Sequence, residues 1–267
     1  MTQHNTRPSQ TTGPQPYLLF EANFLQLAEY EPNLAILPWG ATEAHNHHLP
    51  HGTDVLEATR IAEHAAHLAH MRGAKPIVLP TIPFGNNAQQ LDQVATIHFS
   101  TATADAILND VCSSLSRQGI DRLVILNAHG GNEFKPLVRD AQLNHEMLIV
   151  LVNFFQLERE THAATFENPG DHADEMETSL LLHLSPHLVV MEQASDGQRI
   201  PFDIKEISGD GVWTPRPWST VHPDTGCGDP TAATADKGRI FFEAVTKRIA
   251  DLFCDLSKAK KGQTPYL

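Results

Sequence analysis

Four short apolar runs, and the spacing between them, limit what this chain can fold into more than any other feature. They are LAILPW (34–39), KPIVLPTI (75–82), DRLVILN (121–127) and MLIVLVNFF (147–155). Each has strand length and is nearly continuous in hydrophobicity, as expected of a strand buried on both faces. Helical patterns lie between them. DVLEATRIAEHAAHLAHMRG places Leu56, Ile61, Ala65 and Leu68 near helical spacing, with Gly73 as a stop, and 101–118 does the same through Ala104, Ile107, Leu108, Val111 and Leu115. Residues 133–146, 173–184 and 231–257 read as further helices. The alternation predicts an α/β fold: a single domain with a mainly parallel central sheet flanked by helices on both faces. A chain of 267 residues is long enough for one such domain. Residues 193–230, rich in Pro, Gly, Asp and Trp, read as an irregular surface excursion. Residues 1–16 read as a disordered polar tail, and 17–267 as the domain.

In open parallel sheets, ligands bind beyond the carboxyl ends of the strands. Two polar clusters fall there. GATEAHNHHLPHGTD (40–54) follows the first strand, and NAHGGNE (127–133) follows the third, so both should share one rim. Glu43 and His45, two apart, point the same way in an extended segment. Asp54 then arrives at the start of a helix, where a carboxylate could equally serve as an N-cap. A third cluster, DHADEMETS (171–179), places His172 five residues before Glu177 on the approach to another helix, with Asp174 and Glu175 as first-turn charges. Mixed imidazole and carboxylate donors without cysteine suit zinc or manganese, and a carboxylate shared by two ions is the usual core of a binuclear hydrolytic centre. Gly130 and Gly131 permit a tight turn and close approach to a ligand.

Several function classes are excluded by composition. A formal charge of −13, with 19 Lys+Arg against 32 Asp+Glu, lacks the basic footprint of a nucleic-acid binder. No apolar run reaches the ~18 residues of a membrane span. The polar N-terminus has no secretory h-region, and three cysteines far apart form no disulfide framework. The expected compartment is the cytoplasm.

The clusters together resemble the creatininase (creatinine amidohydrolase) family. Its G-x-x-E-x-H motif, with Asp eleven residues after the Glu, matches Gly40, Glu43, His45 and Asp54. N-x-H-G-G-N matches Asn127, His129 and Asn132; H-x-x-x-x-E-T-S matches His172, Glu177, Thr178 and Ser179; a fourth motif matches GDPTAATADKG (228–238). The resemblance implies a creatininase-like fold, a homohexamer and two divalent metal ions per chain, zinc and/or manganese with iron as an alternative. It implies that Glu43 and His129 bind one ion, that His45 and Glu177 bind the other, and that Asp54 bridges them. His172 would be the acid–base residue, and His98, Gly130 and Asn132 would contact substrate.

The chain departs from creatinine-hydrolysing members where they resemble H-Y-E-N. Here the sequence is His129-Gly130-Gly131-Asn132, so an aromatic and a glutamate are missing. Asn168 and Pro169 stand where those members have a Trp-Asp pair, and Ala88 stands at or near a serine. The expected activity is therefore hydrolysis of a C–N bond in a cyclic amide or formamide other than creatinine. Hydrolysis of a short peptide is the alternative, and a non-catalytic metal-binding scaffold is the reading from another class. His47, His48 and His51 line the pocket, make hydrogen bonds that support the ligands, or are loop polarity. His64, His67 and His70 read as a solvated helix face.

Overall fold

In the computed structural model of the chain, whose described residues are 13–168 and 170–260, four strands form a wholly parallel sheet. They are β1 (Leu34–Trp39), β2 (Pro76–Val78), β3 (Arg122–Asn127) and β4 (Leu148–Asn153), in the order β2-β1-β3-β4. Residues 1–12 of the expected tail, and Pro169, lie outside the described residues. Parallel neighbours need long crossovers, and the helices supply them. In chain order they are α1 (Phe24–Tyr30), α2 (Thr53–His70), α3 (Thr101–Arg117), α4 (Phe134–Asn144), α5 (Arg159–Thr165), α6 (Glu175–Leu184), α7 (Trp218–Val221) and α8 (Ala235–Lys258).

Strand residues alternate between two cores because successive side chains point to opposite faces. Leu34, Ile36, Val124, Leu126 and Val152 face α2, α6 and α8, joining Ile61, Leu180, Phe241, Val245 and Phe253. Ala35, Leu37, Trp39, Leu123, Ile125 and Ile149 face α3 and α4, joining Leu108, Cys112, Phe134 and Leu137. Burial on both faces explains why these strands read as continuous apolar runs.

The second run is a shorter strand than its sequence predicts. Pairing stops at Val78, before Pro80, which has no N–H for the ladder. The chain nevertheless stays alongside β1, with Leu79 N donating to Ile36 O (2.8 Å) and Ile82 N to Pro38 O (3.0 Å). The histidine triplet on α2 is not a solvated face. His67 Nδ1 is 3.0 Å from the Tyr17 hydroxyl, the His70 ring lies 5.0 Å from Tyr17, and His64 packs 5.1 Å from Phe242. Segment 17–30 and α8 cover that side of the helix.

The chain passes from β1 to β2 on one side and then to β3 on the other. The crevice between the carboxyl ends of β1 and β3 is therefore the topological switch point of the sheet. No helix among the described residues is long and apolar enough to cross a membrane.

Candidate metal centre and active site

Five candidate ligands converge on that crevice from four elements. Glu43 and His45 lie just beyond β1, Asp54 in the first turn of α2, His129 just beyond β3 and Glu177 in the first turn of α6. All five are buried. Asp54 is not a cap: the N-cap position of α2 is Gly52, and no side chain caps the helix. Asp174, expected as a first-turn charge, is instead the N-cap of α6 and accepts from Met176 N and Glu177 N. Glu175 turns inward to Lys237 Nζ (2.6 Å), which ties α6 to α8.

The donor atoms form two groups that share Asp54. Glu43, Asp54 and His129 offer ligand atoms within 4.8 Å of one another, and so do His45, Asp54 and Glu177. His129 Nδ1 lies 2.9 Å from Glu43 Oε1 and 3.1 Å from Asp54 Oδ2. His45 Nε2 lies 2.8 Å from Asp54 Oδ1 and 3.9 Å from Glu177 Oε2. A third group, Glu43, His45 and His172, meets the same distance condition.

The tautomers decide what these contacts mean. His45 Nδ1 faces Glu43 O (3.0 Å), and His129 Nε2 faces Asn86 O (3.1 Å). A carbonyl only accepts, so each ring is held with that nitrogen protonated and donating. In the neutral imidazole the other nitrogen then aims its lone pair at carboxylates. That contact is repulsive unless a proton or a cation lies between. Burial alone would lower the His45 pKa, but the Asp54 carboxylate beside it drives it up to about 10. Burial opposes charge on His129 as well, and the Glu43 carboxylate holds its pKa well above the ordinary value. Asp54 Oδ2, fully buried, makes no hydrogen bond despite its proximity to His129. The site demands positive charge where the two donor groups converge, and this donor set fits divalent ions there.

The surrounding loops fix these side chains. In the second motif only His129 points into the site. Asn127 Oδ1 accepts from His129 N (3.1 Å), and Asn132 bonds Asn127 Oδ1 (3.1 Å) and Asn86 N (3.0 Å). Asn132, expected to touch substrate, commits its polar atoms to these loops and does not line the cavity that opens above the site. A Cβ on Gly131 would meet His129 Nε2 at 2.5 Å, whereas one on Gly130 would meet nothing within 4 Å. Gly131 therefore supplies the close approach, and Gly130 opens the cavity. His98 accepts from Asn87 N (3.1 Å) and does not line the cavity. His48 Nε2 pairs with Thr178 Oγ1 (2.8 Å), His51 Nε2 donates to Val94 O (2.9 Å), and His47 is exposed.

His172 sits over the centre. Its Nε2 donates to Ala44 O (2.7 Å), its Nδ1 is 3.8 Å from Glu43 Oε1, and its ring stacks 4.2 Å from His45 and edge-on to Trp218. Cys227, directly before the fourth motif, holds it there: Cys227 N donates to His172 O (2.7 Å), and His172 N to Cys227 O (3.2 Å). Burial, reinforced by His45, holds its pKa below the ordinary value.

A cavity of about 460 Å³ opens above these residues. Its walls include Ala88, Gln90, Gly130, Trp213, Arg216 and Trp218. Sequence reasoning missed Gln90 and Arg216. The aromatic expected to be missing at Gly130 is absent, and the excursion brings Trp213 and Trp218 to the walls. Arg216 pairs with Asp171 (2.7 Å) and lies over the Trp218 ring (4.6 Å). Glu57, one turn beyond Asp54, was also missed. It is fully buried with both oxygens unpartnered, and burial holds its pKa well above the ordinary value.

The family model for creatininase, described as creatinine amidohydrolase, matches residues 21–253. The chain belongs to the creatininase family. Among its relatives, the mycofactocin precursor peptide peptidase of Mycobacterium ulcerans is 32% identical over 232 residues, 82% of this chain and 84% of the relative. The creatinine amidohydrolase of Pseudomonas putida is 26% identical over 253 residues, 84% of this chain and 92% of the relative. A Bacteroides fragilis structure, provisionally named a creatinine amidohydrolase, superposes with a TM-score of 0.85 at 38% identity, over 92% of this chain and 98% of its own. A Mn creatininase and a mutant creatininase of Zn–Zn type share the fold, with TM-scores of 0.76 and 0.75 at 21% and 20% identity. Each match covers 92% of this chain and 100% of the other. The chain is thus a creatininase-family amidohydrolase whose buried residues can form a metal site.

Proposed function

We propose that the protein is a binuclear metal-dependent hydrolase that cleaves the C–N bond of an amide larger than creatinine, a cyclic amide or formamide. The observation that carries the reading is the pair of donor groups joined at Asp54, each with an imidazole lone pair fixed toward carboxylates. Glu43, Asp54 and His129 would hold one ion, and His45, Asp54 and Glu177 the other. The Zn–Zn type of one family structure supports the count. Bound divalent ions polarise a carbonyl and make water acidic enough to attack at neutral pH.

The chain's own residues handle the proton. With Nε2–H held by Ala44 O, His172 presents an unprotonated Nδ1 to the site. Its lowered pKa keeps it neutral near pH 7. It takes a proton from the attacking water and delivers it to the leaving nitrogen. Trp218 and Trp213 line the side of the cavity toward the excursion, and the open space at Gly130 admits a group that an aromatic there would exclude.

A second reading, hydrolysis of a short peptide, is favoured by the resemblance to the mycofactocin precursor peptide peptidase. The proposal extends to a homohexamer in the cytoplasm; exposed Phe20, Phe24 and Leu25 offer apolar surface for association.

Elemental analysis of the purified protein should approach two ions per chain, and Asp54→Ala should lose both. The metal-replete enzyme should hydrolyse a formamide, a cyclic amide or a short peptide, and creatinine poorly. Missing substrate hydrogen bonds cost specificity factors of ~10⁴. Full metal occupancy in a folded Asp54→Ala protein would refute the bridge, and brisk conversion of creatinine would refute the reading of the pocket.

A further inference from the structure

Among the described residues that line the cavity, two side-chain atoms are buried without a hydrogen-bond partner: Asp54 Oδ2 and Gln90 Oε1. The first belongs to the proposed metal bridge. The second has no role in the function described above.

Gln90 is held firmly. It ends a turn, Ala88–Gln90, whose preceding residue Asn87 donates from Nδ2 to Thr42 O (3.2 Å) and Ile97 O (2.9 Å). His98 accepts from Asn87 N, fixing the same turn from behind (3.1 Å). The Gln90 side chain, 2% exposed, reaches Glu43 and donates from Nε2 to Glu43 Oε2. Chemistry assigns the amide orientation. A carboxylate only accepts, so the NH₂ must face Glu43 and the carbonyl must face away. Oε1 is thus a fixed acceptor, beside a candidate metal ligand, with no donor from the described protein.

A buried acceptor without a donor costs ~1–3 kcal/mol. Gln90 lines the cavity, so a substrate group seated against it either brings a donor to Oε1 or leaves that cost in place. Because Gln90 grips Glu43, a donor reaching Oε1 belongs to an atom at or next to the reacting amide. We propose that Gln90 recognises the N–H of the amide being cleaved, accepting it at Oε1 while Nε2 holds Glu43 in place. The substrate class is therefore an amide that retains a hydrogen on nitrogen. Tertiary amides, including peptide bonds to a proline nitrogen, are rejected. The inference rests on the metal-dependent reading above.

Calorimetric binding of two hydroxamates tests it, with each protein saturated in zinc. Acetohydroxamic acid and N-methylacetohydroxamic acid chelate through the same oxygens, but only the first carries an N–H. The wild type should prefer the first by roughly tenfold, one hydrogen bond's worth. In Gln90→Met the preference should fall to near one. In Gln90→Glu the acceptor survives but repels Glu43, so zinc should bind at least ~10-fold more weakly while the preference persists. An unchanged preference in Gln90→Met, with zinc bound, would overturn the role of Gln90 alone. Failure of the wild type to bind zinc and either hydroxamate would overturn the metal reading, and this inference with it.

Discussion

Gly40 opens the first motif, and the structure gives it a testable task. A Cβ built there would lie 2.7 Å from Val55 N and 2.8 Å from Asp54 C, against ordinary contact from 3.4 Å upward. In Gly40→Ala the end of β1 and the first turn of α2 must therefore separate by roughly 0.7 Å, or the methyl must be absorbed as strain. The neighbours are backbone atoms, which cannot escape by changing rotamer. Overpacking of this kind costs about 1–3 kcal/mol, or roughly 3–10 °C in Tm for a domain of this size. The same displacement moves Asp54, whereas metal–ligand distances tolerate only about 0.2 Å. Zinc affinity should fall at least ~10-fold.

Two measurements separate the effects. Thermal unfolding of chelator-treated protein reads the packing cost, and calorimetric zinc titration reads the ligand displacement. Gly130→Ala is the control, because a Cβ there meets nothing within 4 Å; it should leave Tm and zinc binding nearly unchanged. If Gly40→Ala matched this control in both assays, the close-approach argument would fail. If it lost stability but bound zinc normally, Asp54 would not be a ligand in the geometry described.

His172→Ala should retain its metals yet lower turnover by ~10²–10⁴-fold, the range for loss of a general acid–base group; an unchanged rate would remove His172 from the mechanism. The stability of the chelated protein should depend on His48 and His222, whose pKa values burial pushes from 6.5 down to about 4. Between these values the unfolded chain binds more protons than the native one, so stability is full above pH 6.5 and is lost as pH falls toward 4. Glu57, His45 and His129, with raised pKa values, oppose this loss, so the readout is a difference: over pH 7.5 to 4.5 the urea midpoint of His48→Gln should gain on that of the wild type as pH falls, and parallel curves would exclude His48 as a contributor.

The sheet was legible because burial on both faces writes itself into the sequence as four apolar runs. What stayed hidden was local or long-range. The helix α1 carries a readable signal, an Asn23–Gln26 capping box, on a segment with no buried residues to give it an apolar stripe. By contrast, α5 starts from Glu158 in a left-handed conformation with no side-chain cap, so nothing local announces it. The α2 histidines read as solvated because their partners, Tyr17 and Phe242, lie far away in the chain.

The site divides along the same line. Glu43, His45 and His129 follow strand ends directly, so parallel-sheet topology alone delivers them to one crevice. Gln90, Arg216 and Trp218 reach the cavity through irregular segments whose paths depend on contacts such as Arg216 N to Gln89 Oε1 (3.3 Å). A motif read for ligands alone also misassigns its other members. Asn127, Gly131 and Asn132 surround His129, yet their work is to fix its ring, which leaves one nitrogen donating to Asn86 O and the other facing Glu43 and Asp54. That orientation aims an imidazole lone pair at the place proposed for an ion. The scaffold residues of the motif therefore carry as much of the chemistry as the histidine, and substituting Asn127 or Asn132 acts on the site through the tautomer and aim of His129.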